Sequence, residues 1–353
     1  MNARQLLQDA VEASASDIFL ISGMPIAYKI SGAIETREGG RLSPGDTETL
    51  LRDIYAMAGG REIEPFLTEG DDDFSFALAG VSRFRVSTYK QRGSLAAVIR
   101  IVTFDLPDPE ELGIPPVVLQ LAHRPKGLIL VTGPAGSGKS TTLACMIDEI
   151  NKNCHKHVIT LEDPLEYLHS HKQSIVSQRE VFTDTNSYVQ ALRAALRQAP
   201  DVILLGEMRD HETITVAMTA AETGHLIIST LHTIGAANTI DRVIDAFPPN
   251  QQQQIRIQLS MVLRAVISQQ LIPTVDDKMA VAFEVMLVNS AVRNMIREAK
   301  VHQLDTVIYS SAGEGMLAMD ASILKLFKAG IVSEREALAF ASNADTMQKR
   351  MKQ

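Results

Sequence analysis

The sequence predicts an α/β protein of two domains, a small α+β domain followed by a larger one built on a mainly parallel sheet. Apolar and polar residues alternate in much of the first hundred residues, which is typical of half-buried antiparallel strands. From residue 117 onward, short apolar runs alternate with helical stretches, which indicates a parallel sheet covered by helices on both faces. A chain of 353 residues has room for two such domains.

The composition excludes several classes of protein. Hydrophobic residues make up 45% of the chain and the formal net charge is −8, so the chain is too apolar for a disordered protein. No apolar run approaches the ~20 residues that span a bilayer and no signal-peptide core is visible, so we expect a cytoplasmic protein without an integral membrane segment. The two cysteines cannot form a disulfide framework, and the acidic balance argues against nucleic acid as the main ligand.

In the first domain, period-two alternation predicts strands around Phe74–Leu78, Phe84–Thr88 and Leu95–Ile101, and apolar spacing predicts a helix over Thr47–Ala58. Residues 105–116 then hold four prolines and a glycine, a composition that neither a helix nor a central strand tolerates. We therefore predict a first domain over residues 1–104, a flexible linker over 105–116 and a second domain over 117–353.

The second domain is predicted to begin with alternating strands and helices and to end as a helical part, from about residue 248. The predicted strands are Gly127–Val131, His157–Leu161, Asp201–Leu205 and His225–Ser229. The helices between them are Lys139–Ile150, Ser187–Gln198 and Glu212–Glu222. The C-terminal helices are Gln254–Ile267, Asn289–Ala299, Ala321–Ala329 and Glu334–Ala341.

A phosphate-binding loop is predicted between the first of these strands and the helix that follows it. The stretch Gly133–Ser140 fits GxxxxGK[ST], in which glycines let backbone N–H groups line an anion site at a helix N-terminus. Lys139 would reach the outer phosphates of a nucleotide and the Ser140 hydroxyl would hold Mg²⁺. The predicted nucleotide contacts are Gly133, Pro134, Ala135, Gly136, Ser137, Gly138, Lys139, Ser140 and Thr141.

Carboxylates follow two of the predicted strands. Glu207 comes directly after the apolar run that starts at Asp201, where it could hold Mg²⁺ directly or through water. Glu162, Asp163 and Glu166 follow another strand, and any of them could orient and deprotonate an attacking water. A solvated acidic turn is the alternative for this second group.

Histidines and arginines complete the candidate site. His225 opens a predicted strand and His232 follows its end, so either could sense a terminal phosphate or be structural. Arg85 and Arg100 lie in a cluster at the end of the first domain, and Arg193 and Arg197 are neighbours on a helix. One interpretation is that these arginines form solvated basic faces. The other is that they stabilise the charge of a transferring phosphoryl group, and a neighbouring subunit could then supply them.

Four segments together resemble the four boxes of the type II/IV secretion ATPase superfamily, called Walker A, Asp box, Walker B and His box. In order they are Gly133–Thr141, Ile159–Tyr167, Asp201–Asp210 and Thr223–Asp241. Further similarity lies in Gln178–Val181 and Ala191–Gln198. Ala291–Lys300 and Gly315–Asp320 are most similar to the PilT-type twitching-motility ATPases.

The resemblance implies a hexameric ring motor that hydrolyses ATP with Mg²⁺ and powers type IV pilus retraction and twitching motility. Each subunit would have a PAS-like N-terminal domain and a RecA-like ATPase domain with a C-terminal helical part. The motor would act on an inner-membrane pilus platform protein, from the inner face of the cytoplasmic membrane.

Residue by residue, the resemblance makes Glu166 the catalytic glutamate of the Asp box and Glu207 the Walker B glutamate. It assigns His225 and His232 to the His box. Arg85 and Arg100 match, by their fifteen-residue spacing, the N-terminal-domain arginines that reach the nucleotide in the family. Arg193 and Arg197 match a second arginine pair.

Two residues depart from the family pattern, and three other functions fit part of the sequence. Ala135 stands where the family usually has Thr, and Ala299 where PilT-like chains usually have Gly. A PilU-like accessory retraction ATPase shares most of the pattern. A nucleotide-gated binding module with little turnover and a nucleic-acid translocase are the alternatives from other classes, and the acidic composition disfavours the second.

Overall fold

The computed structural model describes residues 2–30, 32–102, 104, 106–276 and 278–352. The chain divides into two compact units, one formed by Met1–Asp105 with Glu166–Leu168 and the other by Leu106–Leu165 with His169–Gln353. The predicted linker starts at Asp105, which lies outside the described residues. Within the described residues, no helix combines the length and apolar character needed to cross a bilayer.

The first unit is a six-stranded antiparallel sheet with helices packed against it. Its elements are α1 (Ala3–Glu12), β1 (Asp17–Leu20), β2 (Ala27–Ile30), β3 (Ala33–Thr36), α2 (Pro44–Met57), α3 (Glu64–Glu69), β4 (Asp71–Leu78), β5 (Ser82–Gln91) and β6 (Ser94–Val102). The strand order is β3-β2-β1-β6-β5-β4. The predicted helix and the three alternating strands are confirmed as α2 and β4–β6, whereas α1 and β1–β3 are additional.

The start of α2 is fixed by a capping box. The Ser43 hydroxyl accepts from the Asp46 N–H, and the Asp46 carboxylate accepts from the Ser43 N–H at 2.8 Å. This reciprocal pair satisfies N–H groups that a helix start otherwise leaves without a partner. Leu51 and Ile54 of α2 are fully buried and join the core of this unit.

The second unit is a seven-stranded sheet between two layers of helices. Its first elements are α4 (Pro116–Leu121), β7 (Gly127–Thr132), α5 (Lys139–Asn153), β8 (His157–Glu162), β9 (Ile175–Glu180), α6 (Tyr188–Ala195), β10 (Val202–Leu205), α7 (His211–Glu222) and β11 (Leu226–Leu231). Its later elements are α8 (Ala236–Asp245), α9 (Pro249–Val262), β12 (Leu263–Pro273), β13 (Met279–Leu287), α10 (Ser290–Arg297), α11 (Leu304–Ser310), α12 (Met319–Lys328), α13 (Glu334–Phe340) and α14 (Ala344–Met351).

The strand order is β13-β12-β7-β11-β10-β8-β9, and every pair except β12–β13 is parallel. β7 shows why this sheet needs helices on both faces. Leu128 and Leu130 pack into a core with residues of α6–α9, whereas Ile129 and Val131 pack into a second core with residues of α4 and α5. All four side chains are fully buried, which stabilises the fold by about 1.5–3 kcal/mol for each one relative to exposure.

The prediction of a continuous helix over Gln254–Ile267 is wrong in its second half. Helix α9 ends at Val262, and the chain continues directly as β12, which pairs with β7 and β13. The apolar residues at Leu263 and Val266 fit a helical period, but Leu263, Ala265 and Ile267 also fit the period of a strand. One pairing partner, β7, lies more than a hundred residues earlier, whereas the other, β13, follows β12 within a few residues as the second strand of a hairpin.

The end of α10 has a distinctive conformation at one of the positions that depart from the family pattern. Ala299 has φ = +58°, in the left-handed region that favours glycine. The N–H of Lys300 donates to the Met295 carbonyl at 2.8 Å, and the N–H of Ala299 donates to the Ile296 carbonyl. These two bonds form a Schellman motif, whose left-handed position is usually glycine.

We expect Ala299→Gly to raise the free energy of unfolding by about 0.5–1 kcal/mol, because glycine removes a left-handed strain that outweighs its extra freedom in the unfolded chain. Thermal and urea denaturation followed by circular dichroism would measure the change. Ala329→Gly is the matched control, since Ala329 follows α12 with φ = −78° and glycine there should lower stability. An equal loss of stability in both variants would contradict this account.

Candidate functional site

The phosphate-binding loop lies where the sequence predicts it, between the carboxyl end of β7 and the start of α5. Gly133 and Gly138 have φ = +145° and +85°, which side-chain-bearing residues rarely adopt. A Cβ added to Gly133 would lie 2.3 Å from the Gln269 carbonyl oxygen and 2.6 Å from Ser137 Oγ. The loop therefore needs glycine at this position for space as well as for conformation.

Lys139 lies in the first turn of α5, and its side chain contacts the loop. Its side chain is buried, and its Nζ donates to the carbonyls of Gly133 at 2.9 Å and Pro134 at 2.7 Å. The ammonium group is thus held beside the loop backbone and the positive end of the α5 dipole. Ser140 follows on the same turn. This combination of a cation, backbone N–H groups and a hydroxyl suits a polyphosphate with its metal ion.

Gln269 donates a hydrogen bond to the phosphate-binding loop, and it was not among the predicted site residues. This β12 residue is only 1% exposed, and its Nε2 donates to the Ser137 carbonyl at 3.3 Å. Its Oε1 and the Ser137 Oγ are buried without a hydrogen-bond partner in the described structure. Because the segment was predicted as a helix up to Ile267, the sequence offered no reason to place Gln269 beside the loop.

Glu207 and His232 come together at the same edge of the sheet. Glu207 follows β10, is largely buried, and forms an ion pair with Arg209. Its other carboxylate oxygen lies 3.6 Å from His232 Nε2, and His232 is exposed just beyond the end of β11. The strands carry these two side chains to one edge because β10 and β11 are parallel neighbours in register, with Leu205 beside Ser229.

The donor set fits Mg²⁺ between the loop and Glu207. Strand β11 separates β7 from β10, which places the two strands about 10 Å apart. A metal held by the Ser140 hydroxyl and phosphate oxygens would therefore meet the Glu207 carboxylate best through water, as is common for Mg²⁺. Among the described residues, no group of three or more His, Cys, Asp or Glu side chains could hold a metal ion alone.

Tyr188 lies close to Gly206, the residue before Glu207, and it was also not among the predicted site residues. Its hydroxyl lies 2.8 Å from the position of a Cβ on Gly206, so the glycine before Glu207 leaves room for the ring. Burial, with the nearby charges of Asp163 and Glu207, raises the pKa of the Tyr188 phenol. The glycine between the end of β10 and Glu207 is the signal that could have indicated such a close approach.

The turn after His232 is anchored by β12 and β13. The Gly235 N–H donates to Ser268 Oγ at 2.9 Å, and the Ala236 N–H donates to Glu284 Oε1 at 2.7 Å. Thr239 Oγ1 donates to the Gly235 carbonyl and also lies 2.8 Å from Thr233 Oγ1. These bonds satisfy the first N–H groups of α8 and fix where His232 leaves the sheet.

Glu284 is a buried carboxylate on β13 that serves two helix starts. Burial raises the pKa of its carboxyl, while hydrogen bonds from the backbone N–H groups of Ala236 and Met319 act in the opposite direction. The charges of Asp305 and Asp320 raise the pKa further. The positive ends of α8 and α12 thus offset part of the cost of burying this charge.

The structure does not place His225 with His232. His225 precedes β11, and its Nδ1 lies 3.0 Å from the Ala220 carbonyl at the amino edge of the sheet. The six residues of β11 separate the two histidines by about 20 Å. Within one chain the two candidate histidines therefore lie at opposite ends of β11, and their roles at the nucleotide stay predictions.

Arg193 and Arg197 lie on an exposed surface at the end of α6. The Arg193 Nη2 donates to Glu212 Oε1 at 3.0 Å, and the Arg197 Nη1 donates to the Arg193 carbonyl at 3.0 Å. Both partners of the ion pair are more than half exposed, so the pair contributes little to stability. Within the chain these arginines are engaged with each other and with Glu212.

Of the three carboxylates near the end of β8, Glu162 is the last residue of the strand and Asp163 follows it. Glu166 is exposed and belongs to the first compact unit. The structure thus divides the three candidates, with Glu162 and Asp163 at the carboxyl edge of the parallel sheet.

Arg85 and Arg100 are brought together in the first unit. They face each other directly across β5 and β6, because each is seven residues from the two-residue turn at Arg92–Gly93. Arg92 and Gly93 both have positive φ, as the favoured two-residue hairpin turn requires. Arg100 Nε donates to the buried Asp17 carboxylate at 2.9 Å. Two guanidinium groups beside one carboxylate leave a positively charged face that suits an anion.

Comparisons with known proteins agree with this arrangement. The family model of the type II/IV secretion system protein matches residues 2–313. The chain belongs to this family. PilT of Pseudomonas aeruginosa, a type IV pilus retraction ATPase, is 42% identical to this chain over 337 residues. The alignment covers 96% of this chain and 97% of PilT. The type IV pilus ATPase PilU of the same organism is 38% identical over 354 residues. That alignment covers 100% of this chain and 92% of PilU.

A solved structure adds the three-dimensional comparison. The crystal structure of the pilus retraction motor PilT with bound ADP matches with a TM-score of 0.88 and 45% identity, over 99% of each chain. The predicted fold class and the predicted likeness to PilT-type secretion ATPases are confirmed.

We expect Gln269→Leu to weaken binding of a non-hydrolysable ATP analogue about five- to tenfold, because the loop loses one hydrogen bond of about 1 kcal/mol. Isothermal titration calorimetry would measure the dissociation constant. Gln270→Leu is the matched control, since Gln270 is the next residue of β12 and is partly exposed. Wild-type affinity in Gln269→Leu would contradict the supporting role.

Proposed function

We propose that this chain is a Mg²⁺-dependent ATPase that works as a hexameric ring motor and powers type IV pilus retraction and twitching motility. The observation that carries the proposal is the phosphate-binding loop at the end of β7, with His232 and Glu207 paired at the ends of the next two strands, β11 and β10. The likeness to pilus retraction ATPases over almost the whole chain supports the same function.

The residues of the second unit bind and orient the nucleotide. Backbone N–H groups of the loop and the start of α5 bind the phosphates, and Lys139 exchanges its two carbonyl acceptors for phosphate oxygens. Mg²⁺, when bound through Ser140 and Glu207, neutralises phosphate charge. His232 lies against Glu207, so its ring can report the presence of the terminal phosphate to the turn at Gly235.

A carboxylate activates the attacking water. Glu166 takes this role in our proposal, because it occupies the position of the catalytic glutamate in the Asp box. Glu162 and Asp163 are the rivals, since they lie at the carboxyl edge of β8. A general base in this position is worth about 10²–10⁴-fold in rate.

The arginine pairs stabilise the charge that develops on the transferring phosphoryl group. Arg85 and Arg100 carry the charge of the first unit, and Arg193 and Arg197 are exposed at a surface that a neighbouring subunit can meet. His225, at the amino edge, does not contribute to the site of its own chain in this proposal. The ring arrangement explains why the arginines are spread over two surfaces.

The division of the chain into domains 1–104 and 117–353, with a hinge over 105–116, is part of the proposal. The two compact units support the two-domain division, and Leu106 onward, with Ile114 in the core, belongs to the second unit, which limits the hinge to the start of the proposed segment. ATP and ADP would favour different states of the hinge, and the ring would pass this change to a pilus platform protein at the inner face of the cytoplasmic membrane.

We expect Glu166→Ala to bind ATP but to hydrolyse it at least about a hundredfold more slowly, as loss of a general base does. Phosphate release and binding of a fluorescent nucleotide would be measured on the same preparation. Lys139→Ala should lose turnover altogether, and Glu162→Ala is the matched comparison within the same acidic segment.

Normal turnover in Glu166→Ala with loss in Glu162→Ala would move the base to Glu162. Absence of steady-state turnover in the wild type would favour the nucleotide-gated binding module.

The pilus function is tested in the source organism with Lys139→Ala, by counting surface pili and measuring surface motility. More pili and no twitching would support retraction, because filaments would extend and not return. Few or no pili would mean that the motor powers extension or secretion, and the retraction function would be wrong while the ATPase activity stood.

A further inference from the structure

A cysteine, a histidine and a glutamate form a cluster in the second unit, among residues of the sequence that have no role in the ATPase reaction described above. Cys154 Sγ lies 3.4 Å from His123 Nδ1, and His123 Nε2 lies 2.8 Å from Glu149 Oε1. A nucleophile within hydrogen-bond reach of a base, with the base oriented by a third group, is the arrangement that activates thiols in proteins.

The hydrogen-bond partners favour one tautomer of the neutral His123 imidazole. A carboxylate accepts hydrogen bonds and has none to donate, so His123 Nε2 carries the hydrogen that points at Glu149. In the neutral ring, Nδ1 is then the lone-pair nitrogen, and it faces the Cys154 thiol. His123 is therefore set to take the thiol proton.

The backbone holds these side chains in place. Cys154 directly follows α5, where its N–H donates to the Ile150 carbonyl at 2.9 Å and its own carbonyl accepts from Ser174 Oγ at 2.5 Å. The N–H of His123 donates to the Gln120 carbonyl in the turn after α4. Fixed backbones on both sides reduce the freedom that the thiol and the ring lose when they meet.

The second cysteine has the opposite surroundings. Cys145 is buried on α5, and burial raises the pKa of its thiol to about 11. Cys154 is only partly buried, and His123 is 41% exposed, so a small reagent can reach the cluster from solvent. The chain thus holds one inert thiol and one thiol with a base beside it.

We propose that Cys154 is a modification site that reacts with low-molecular-weight disulfides, such as glutathione disulfide, with His123 as the base and Glu149 as the residue that orients it. The Cys154 proton passes to His123 Nδ1, and the thiolate sulfur attacks one sulfur of the disulfide. A new S–S bond forms to Cys154 as the old one breaks. The leaving thiolate takes the proton back from His123, so the products are a mixed disulfide and one free thiol.

This inference does not depend on the proposed function, because the reaction needs neither nucleotide nor ring assembly. It concerns a surface of the second unit that the phosphate-loop chemistry leaves unused.

The test uses the full-length chain with Cys145→Ala, which leaves Cys154 as the single cysteine. Dithionitrobenzoate, an aromatic disulfide with a coloured leaving thiolate, reports the rate at neutral pH. We expect His123→Gln in this background to react about tenfold more slowly, since the thiol proton then has no acceptor within hydrogen-bond reach as the sulfur attacks. Equal rates with and without His123 would overturn the proposal.

Two further variants separate activation from structure. His155→Gln is the matched control, because His155 is adjacent to Cys154 but its Nδ1 lies against the Gln173 carbonyl, so the rate should not change. Glu149→Leu removes the acceptor for Nε2 but leaves the base, and it should slow the reaction less than His123→Gln does. If His123→Gln lowers the melting temperature, Glu149→Leu still decides the matter, since an unchanged rate would contradict the orienting role.

Intact-protein mass after incubation with glutathione disulfide identifies the site. We expect one glutathione adduct on the Cys145→Ala variant and none on Cys154→Ser. An adduct that forms equally on both, or on neither, would show that Cys154 is not the activated thiol.

Discussion

Parallel pairing in register is the constraint on which the rest of the site depends. In the second unit, β12, β7, β11, β10, β8 and β9 all run in the same direction, so the chain leaves each of them at one edge. The phosphate loop, His232, Glu207 and Glu162 reach that edge from four different strands. Reversal of one strand would remove its residue from that edge, and a slip of one residue would turn the side chains of that strand to the other face.

The last two strands provide the support for this edge. β12 places Gln269 under the phosphate loop and Ser268 at the turn after His232, and β13 places Glu284 at the start of α8. Each of these polar groups is buried, and each serves backbone groups that would otherwise lack a partner. The site is therefore built from two parts of the chain, the four boxes that carry the chemistry and a later pair of strands that holds two of those boxes in place.

The sequence was informative where the signal is local. The phosphate loop, the four strands before residue 240 and the hairpin strands of the first unit have periodicity, turn residues or a motif of their own. The Arg85–Arg100 pairing could also have been derived, since both residues are equally distant from Arg92–Gly93. The strand at Leu263–Pro273 was not predicted, because its residues satisfy both periods and its parallel partner β7 is distant in sequence, although its antiparallel partner β13 follows closely.

Residues that contact backbone groups of distant segments could not be predicted either, because they too have no local sequence signal. Gln269, Glu284 and Tyr188 belong to no motif, and only the folded chain places them beside a loop, a helix start or a glycine. His225 shows what a shared sequence motif does not tell. It shares a sequence box with His232, but nearness along the chain is not nearness in space when the intervening residues form a strand.

The position of Glu284 also limits how relatives of this protein can vary in length. One carboxylate group binds the N–H groups of Ala236 and Met319, so the starts of α8 and α12 lie within the span of a single side chain. Insertions between β13 and α12 are compatible with the fold only if they loop outward and return the chain to the same point. Gains and losses of residues in this family should therefore avoid the residues next to Met319 and collect in exposed parts of that segment, such as Ala312–Glu314.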